Sequence, residues 1–434
     1  MGDDPRDDLR WLAPARPRGP ALAIDLDGEL VRGFAGETVA VALFAEKIRV
    51  LARSPKYHRP RGLFCGTGHC GSCLMRIDGR PNVRACLAPV RDGLRCERQN
   101  TFPDPEIDLL AAADWLFPRG MDHHRLMTTS RIGNELFVKL VRQMGGSGLL
   151  PEREADPLPA PRDLDLDLCV VGAGPAGLSA AKVVGEACPG SHILIVDDQP
   201  APGGSQLAEP DGTVRVSELL AGARAAGVRL ESNASAIGVY GDEAAGHVLA
   251  VASPAGLLRV RARRFLYATG AYDQNLPLPD NDRPGVIAAR ALGQLAFLWG
   301  IAPAPGRRVI LVAGPGPKLV FLDRLAAGLG ARGVAVVWAE ANALGQVRPK
   351  IDLRADVIAV GPLPAPASEL ARQHGGAVVF DPARGGFCAV RSDQGIAAAG
   401  VFVAGDVAGY AGPEAAAADG ARVGAAIAKE LHAR

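Results

Sequence analysis

Aromatic side chains are scarce in this chain: 4 Trp, 5 Tyr and 12 Phe make up 5% of its 434 residues. Set beside 53 glycines and abundant alanine, that scarcity favours helices laid on sheets through small side chains and many tight turns. Neither sign of charge dominates. The 48 Lys and Arg against 47 Asp and Glu leave a net charge of +1, so no global field invites nucleic acid. No run of 18 apolar residues occurs, which argues against a membrane-spanning helix, and the opening MGDDPRDD lacks the basic-then-apolar order of a secretory signal. The expectation is a soluble, cytoplasmic protein of about two to four domains. Cys96, Cys169, Cys188 and Cys388 show no pairing pattern, as suits a reducing compartment, and no second C-x-x-C supports dithiol exchange.

The remaining cysteines are concentrated. Cys65, Cys70, Cys73 and Cys86 lie in FCGTGHCGSCLMRIDGRPNVRAC with the spacing C-x4-C-x2-C-x12-C, the loop spacing of plant-type 2Fe-2S centres, which take three thiolates from one loop and a fourth from a neighbouring strand. Gly62, Gly66, Gly68 and Gly71 let the loop adopt φ > 0 and turn N–H groups toward sulfur. Zinc is the competing reading, but structural zinc sites usually pair two C-x2-C knuckles. The four cysteines are therefore the metal ligands expected of this sequence.

Around them, ALAIDLDGELVRGFAGETVAVALFAEK reads as a strand, an Asp27-Gly28 turn, a second strand and a helix from near Thr38. CLMRI, the Asp78-Gly79 turn and a return strand toward Cys86 complete a β-grasp pattern. With RSPKYHRPRG running into the cysteine loop, residues 17–100 resemble the ferredoxin-like N-terminal region of sarcosine oxidase alpha subunits and of hydrogen cyanide synthase and opine oxidase complexes. The boundaries expected are a lead-in over 1–20, loose and charged, and a 2Fe-2S domain over 21–100. A helical connector and linker follows over 101–163. The basic run Arg53, Lys56, Arg59 and Arg61 is open to two readings, a site for a flavin phosphate or acidic partner and a solvated loop. His123 and His124 are adjacent and do not share a helix face, so they read as surface residues.

DLDLCVVGAGPAGLSAAKVV places Gly172, Gly174 and Gly177 between a strand and a helix, the context in which G-x-G-x-x-G predicts a dinucleotide site. Pro175 and Ala176 open that helix, whose N-terminus suits an anion. The next strand ends at Asp197, 20 residues after Gly177, where a carboxylate accepts from ribose hydroxyls. Asp198, then Gly204 and Gln206 of PGGSQ, and Thr269 and Gly270 of ATG, extend the predicted cofactor set. Gly405 and Asp406 close it, matching the Asp that bonds the ribitol in FAD enzymes of the glutathione-reductase type. GAGPAG, ATG and AGD in that order predict FAD, with FAD-binding parts over 164–285 and 353–434.

Between them, residues 286–352 read as a second nucleotide-type lobe. Gly314 and Gly316 are present, but Leu319 replaces the third small residue, and Pro317 and Lys318 open the helix. Only 15 residues separate Glu340 from Asp356, so the lobe reads as abridged, which argues against NAD(P).

Together these features describe a multidomain α/β and α+β chain: a β-grasp 2Fe-2S domain followed by a glutathione-reductase-like fold. Nearly the whole chain resembles a fusion of the ferredoxin-like and larger subunits of that family. The resemblance implies an electron-transfer subunit of a heteromeric amino- or imino-acid dehydrogenase or oxidase of sarcosine, proline, hydroxyproline, opine or glycine type. It further implies a separate FAD-dependent amine-oxidase-type subunit as partner, through which the small molecule is oxidised. No residue reads as a general base, and Tyr272 and Asp273 read as structural. Two alternatives stand beside this reading, a self-sufficient NAD(P)H-dependent reductase and a non-catalytic nucleotide-holding scaffold.

Overall fold

Two Asp-Gly pairs shape the first sheet. In the computed structural model, which describes residues 9–54, 58–101, 157, 159–241, 246–350 and 355–433, Asp27 and Gly28 take φ of 52° and 91°, and Asp78 and Gly79 take 47° and 75°. Two consecutive left-handed residues twist a turn in the sense that paired strands require. The first turn joins Ala21–Leu26 to Glu29–Phe34, and the second joins Leu74–Ile77 to Arg80–Arg84. Leu94–Glu97 runs between the hairpins, parallel to the first strand and antiparallel to the third. The helix Val39–Ala45 buries all seven residues against this sheet, and the expected β-grasp forms.

Of the lead-in, residues 9–20 depart from the loose segment expected. Leu9 and Leu12 are buried, Trp11 Nε1 donates to the Pro303 carbonyl at 2.9 Å, and Arg18 reaches the Trp299 carbonyl at 3.0 Å. Arg10 is buried as well, with Nε 2.9 Å and Nη2 3.1 Å from the two oxygens of Glu37, and Nη1 2.5 Å from Glu46. Three apolar residues inside a charged stretch were enough to seat it between the β-grasp and the later lobe.

The large sheet is built on four parallel strands: Arg162–Val171, Ile193–Val196, Gly256–Tyr267 and Val401–Val403. Side chains alternate between two cores. Leu168, Val170, Ile193 and Ile195 pack with the helices, whereas Cys169, Val171, Leu194 and Val196 pack under the antiparallel strands Ser235–Tyr240 and Val248–Ser253. The stretch VRLESNASAIGVYG, which reads as one strand, is broken at Asn233, whose φ is 54°. Its first part, Arg229–Glu231, extends the parallel edge, and its second joins the antiparallel layer. The helices Pro175–Ala187 and Pro413–His432 cross closely, because a Cβ on Gly420 would sit 2.1 Å from the Ala176 carbonyl oxygen. Their N-terminal ends meet at the carboxyl edge of the sheet.

The second lobe has a sheet ordered Val286–Ala288, Val357–Gly361, Arg308–Ala313, Ala335–Ala341 and the antiparallel edge Val347–Arg348. Val357–Gly361 thus lies inside this lobe, although the sequence boundary grouped it with the second FAD part. Its helix begins at Val320, after Pro317 and Lys318, with Leu319 still extended.

Arg10→Ala would leave Glu37 buried without its guanidinium, a loss of about 3–5 kcal/mol by analogy with other broken buried pairs. The midpoint of chemical denaturation should fall accordingly; a change under about 1 kcal/mol would show that solvent reaches Glu37.

Candidate functional site

Three of the four predicted ligands lie on the loop entering the Leu74–Ile77 strand, and the fourth follows Arg80–Arg84. The Ala85 N–H donates to the Cys73 carbonyl at 3.1 Å, which sets Cys86 beside Cys73. The sulfurs interact in three pairs, Cys65 with Cys70, Cys65 with Cys86, and Cys73 with Cys86. Hydrogen bonds from Cys70 and then Cys86 hold Cys65 below the ordinary thiol pKa, and one from Cys86 lowers Cys73. Cys70 and Cys86, bonded to those partners, shift up. The backbone N–H groups of Thr67 and Ser72 donate to the Cys65 and Cys70 sulfurs, both at 3.4 Å.

Gly66, Gly68 and Gly71 carry the positive φ expected of the loop. Gly62 does not; it is required by contact, since a Cβ there would lie 2.2 Å from the Arg49 carbonyl oxygen. Among the described residues no three His, Cys, Asp or Glu side chains are arranged to hold one metal ion. An all-sulfur donor set with N–H groups aimed at sulfur fits a 2Fe-2S cluster spread over four thiolates.

The residues predicted for a dinucleotide site gather where the four parallel strands end, the edge at which open α/β sheets bind ligands. Gly172, with φ of 105°, turns the chain so tightly that a Cβ would sit 2.3 Å from the Ala268 carbonyl oxygen. A Cβ on Gly177 would meet the Gly172 oxygen at 1.9 Å, so only glycine lets helix and strand close. Gly174 has nothing within 4 Å of where its Cβ would be, leaving bare backbone on the wall of a cleft of about 590 Å³. That volume is of the size that encloses organic cofactors.

Pro175, Ala176, Asp198, Gly204, Thr269, Gly270 and Asp406 line this cleft with Gly172, Gly174 and Asp197. Asp197 Oδ2 accepts from the Ala173 N–H at 2.5 Å and Oδ1 from the Gln199 N–H at 2.9 Å, so it braces the glycine turn as well as facing the cleft. Burial pushes it up to about 6. Asp406 Oδ1 accepts from Ala411 and Gly412 at 2.9 and 3.1 Å, which leaves Oδ2 for a ligand. Thr269 donates to the Ala367 carbonyl at 2.6 Å. Gly177, Gly405 and Gln206 stand behind the wall. Gly405 is bonded through its N–H to Asp419, and Gln206 is buried with its Nε2 unpartnered among the described residues.

Of the residues that bring the two predicted sites together, the sequence singled out Asp198 alone. Thr67 and His69, from the cysteine loop, and Arg84 line the same cleft as the glycine turn. Gln199 Nε2 donates to the Thr67 carbonyl at 2.8 Å, and His69 Nε2 lies 3.1 Å from Asp198 Oδ2. Burial pushes His69 down, but the Asp198 bond and charge outweigh it and leave the imidazole above its ordinary value. Its ring meets Tyr272 edge-on at 5.1 Å. Asp273 is paired with Arg290 at 2.7 Å in the cleft wall, a partner with no signal in the sequence. His69, standing between Cys65 and Cys70, carried the one available hint.

The basic run is largely engaged within the chain. Arg59 pairs with Asp282 of the second lobe at 3.0 Å, and Arg53 donates to the His58 carbonyl at 2.7 Å. Lys56, His123 and His124 lie outside the described residues.

Comparison with known proteins agrees with this geometry. Residues 19–101 match the model of the 2Fe-2S iron-sulfur cluster binding domain. Sarcosine oxidase subunit alpha of Rhizobium meliloti is 30% identical over 466 residues, covering 95% of this chain and 46% of that protein. Hydrogen cyanide synthase subunit HcnA of Pseudomonas aeruginosa is 45% identical over 85 residues, covering 20% of this chain and 81% of that one. The chain spans about half the length of the sarcosine oxidase subunits it matches. The crystal structure of L-proline dehydrogenase from P. horikoshii superposes with a TM-score of 0.70 at 23% identity, over 98% of this chain and 75% of that one, a likeness of fold.

Anaerobically prepared protein should hold iron and sulfide at about two each per chain, as a 2Fe-2S centre does, and Cys73→Ser should remove most of both. A cluster spectrum unchanged in that variant, or zinc in place of iron, would overturn the ligand set. Gly174→Val puts a branched side chain where the backbone must meet a pyrophosphate and should abolish FAD binding. Asp197→Ala should weaken it by about 1.5–3 kcal/mol. Stoichiometric FAD in both variants would move the flavin elsewhere.

Proposed function

The chain belongs to the family of sarcosine oxidase alpha, hydrogen cyanide synthase A and opine oxidase A subunits, and from that premise we propose that it is the electron-transfer subunit of a heteromeric amino- or imino-acid dehydrogenase or oxidase. The observation that carries the reading is the shared wall. Thr67 and His69, beside Cys65 and Cys70, line the cleft that begins at Gly172. Cluster ligands and dinucleotide site are thus one construction within one chain.

Flavin accepts a hydride pair and releases electrons singly, and a 2Fe-2S centre carries one electron at a time, so the two together convert two-electron oxidation into one-electron export. The chain's own residues would hold these groups on one wall. The N-terminal ends of Pro175–Ala187 and Pro413–His432 face the cleft, where unpaired N–H groups suit a diphosphate. Asp406 keeps Oδ2 for a hydroxyl, while Asp419, held by Arg391 at 2.7 Å, fixes the turn that presents it. Gln199 and Asp198 hold the cluster loop against the cleft.

Beside the ATG turn neither acidic group is free to act as a base for a C–H bond: Asp273 is tied to Arg290, and Tyr272 donates to Glu369 at 3.1 Å. Oxidation of the amine is therefore assigned to a separate FAD-dependent subunit. Among the described residues no helix is long and apolar enough to cross a membrane.

Amine-dependent dye reduction tests the division of labour. The chain alone should show no turnover with sarcosine, proline, hydroxyproline or opines, and the chain reconstituted with a second flavoprotein subunit should turn over one of them. Substantial turnover by the chain alone would make it a complete enzyme.

A further inference from the structure

A dinucleotide carries a diphosphate into its site, and the charges lining this cleft do not by themselves favour one. Four aspartates, Asp197, Asp198, Asp273 and Asp406, share the wall with Arg84, Arg290 and His69. Two of these three cations are engaged. Arg290 Nε lies 2.7 Å from Asp273 and its Nη2 donates to the Ala271 carbonyl at 2.7 Å, while His69 is bonded to Asp198. Burial raises Asp197 and Asp406 toward their neutral forms. In Asp198 burial acts the same way, but the His69 bond outweighs it and keeps the group anionic.

Arg84 is different. Its side chain makes no hydrogen bond or ion pair among the described residues, and its charge helps hold Asp198 anionic. Its backbone is nevertheless fixed. Arg84 ends the Arg80–Arg84 strand in register with Leu74, and its carbonyl accepts from the Leu87 and Ala88 N–H groups at 3.0 and 3.2 Å. A long exposed arginine gains little from pairing in open water. At the rim of a partly enclosed cleft, a phosphate offers it a charge-assisted partner that fits the guanidinium fork.

We infer that Arg84 is a nucleotide-binding residue contributed by the cluster domain, taking a phosphate oxygen of the dinucleotide alongside the backbone of the Gly172–Gly177 turn. The inference rests on the flavin reading above and adds to it a ligand-binding side chain from outside the dinucleotide fold. Bound nucleotide would then bridge the two domains, reinforcing the Gln199–Thr67 and His69–Asp198 bonds.

The test is a fluorescence titration of FAD into the deflavinated, cluster-loaded full chain, with iron measured on the same samples. Arg84→Gln should raise the Kd about tenfold, equivalent to about 1.4 kcal/mol, and Arg84→Lys, which keeps the charge but not the fork, should raise it less. Added salt should weaken wild-type binding more than that of Arg84→Gln. An Arg84→Gln protein that keeps its iron and the wild-type Kd overturns the inference alone. Should that variant lose iron, the Lys variant and the salt series decide, and wild-type affinity indifferent to salt overturns the inference. Wild-type protein that takes up no FAD overturns the flavin reading, and this inference with it.

Discussion

Four parallel strands ending at one edge of one sheet are the constraint on which the rest of the structure depends. Because Arg162–Val171, Ile193–Val196, Gly256–Tyr267 and Val401–Val403 all point the same way, the chain must turn away from the sheet four times at the same place. Each turn leaves a residue at the cleft: Gly172, Asp197, Thr269 and Asp406 in that order. The Gly172 N–H bonds the Val196 carbonyl at 2.8 Å, the Ala268 N–H bonds Val171 at 2.8 Å, and the Ala404 N–H bonds Tyr267 at 3.1 Å. Ladder bonds thus continue to the first residue of three turns, and the site inherits the rigidity of the sheet.

The second constraint is the seating of the β-grasp domain against that edge. Gly66 lies close to the helix that follows Val286–Ala288, since a Cβ there would be 3.6 Å from Ala291 Cβ and from Gln294 Oε1. Gln199, just beyond the two aspartates, reaches across to Thr67. The lead-in segment ties the opposite side, through Trp11 and Arg18 to the second lobe. The abridged lobe therefore has a mechanical part to play: it is the floor on which the cluster domain rests.

Electrostatically the site is arranged around carboxylates, which explains why so much of its polar inventory is internal. Burial penalises ionised Asp197 and Asp406, and backbone N–H groups offset part of that penalty. Arg290 and Asp273 sit as a buried pair whose members compensate each other, a geometry that costs desolvation but fixes the wall.

Local chemistry was legible in the sequence wherever a residue type answers to a requirement that travels only a few positions along the chain. Asp-Gly turns require φ > 0, the cysteine spacing follows from the span of a cluster, and G-x-G-x-x-G follows from the packing of one strand on one helix; all three could be read without a structure. Residues whose partners lie outside their own motif could not be read. The pairing of His69 with Asp198, of Gln199 with Thr67, and of Arg290 with the chain beside the ATG turn exists only once the domains dock. The same holds for Leu94–Glu97, four residues long and central in its sheet, and for Val357–Gly361, assigned to its lobe only by pairing with Arg308–Ala313. The sequence by itself determined which cofactors the chain is built to hold, because ligand and turn chemistry are local. Only the tertiary structure decided that both share one wall, because that depends on which surfaces of separate domains bury each other.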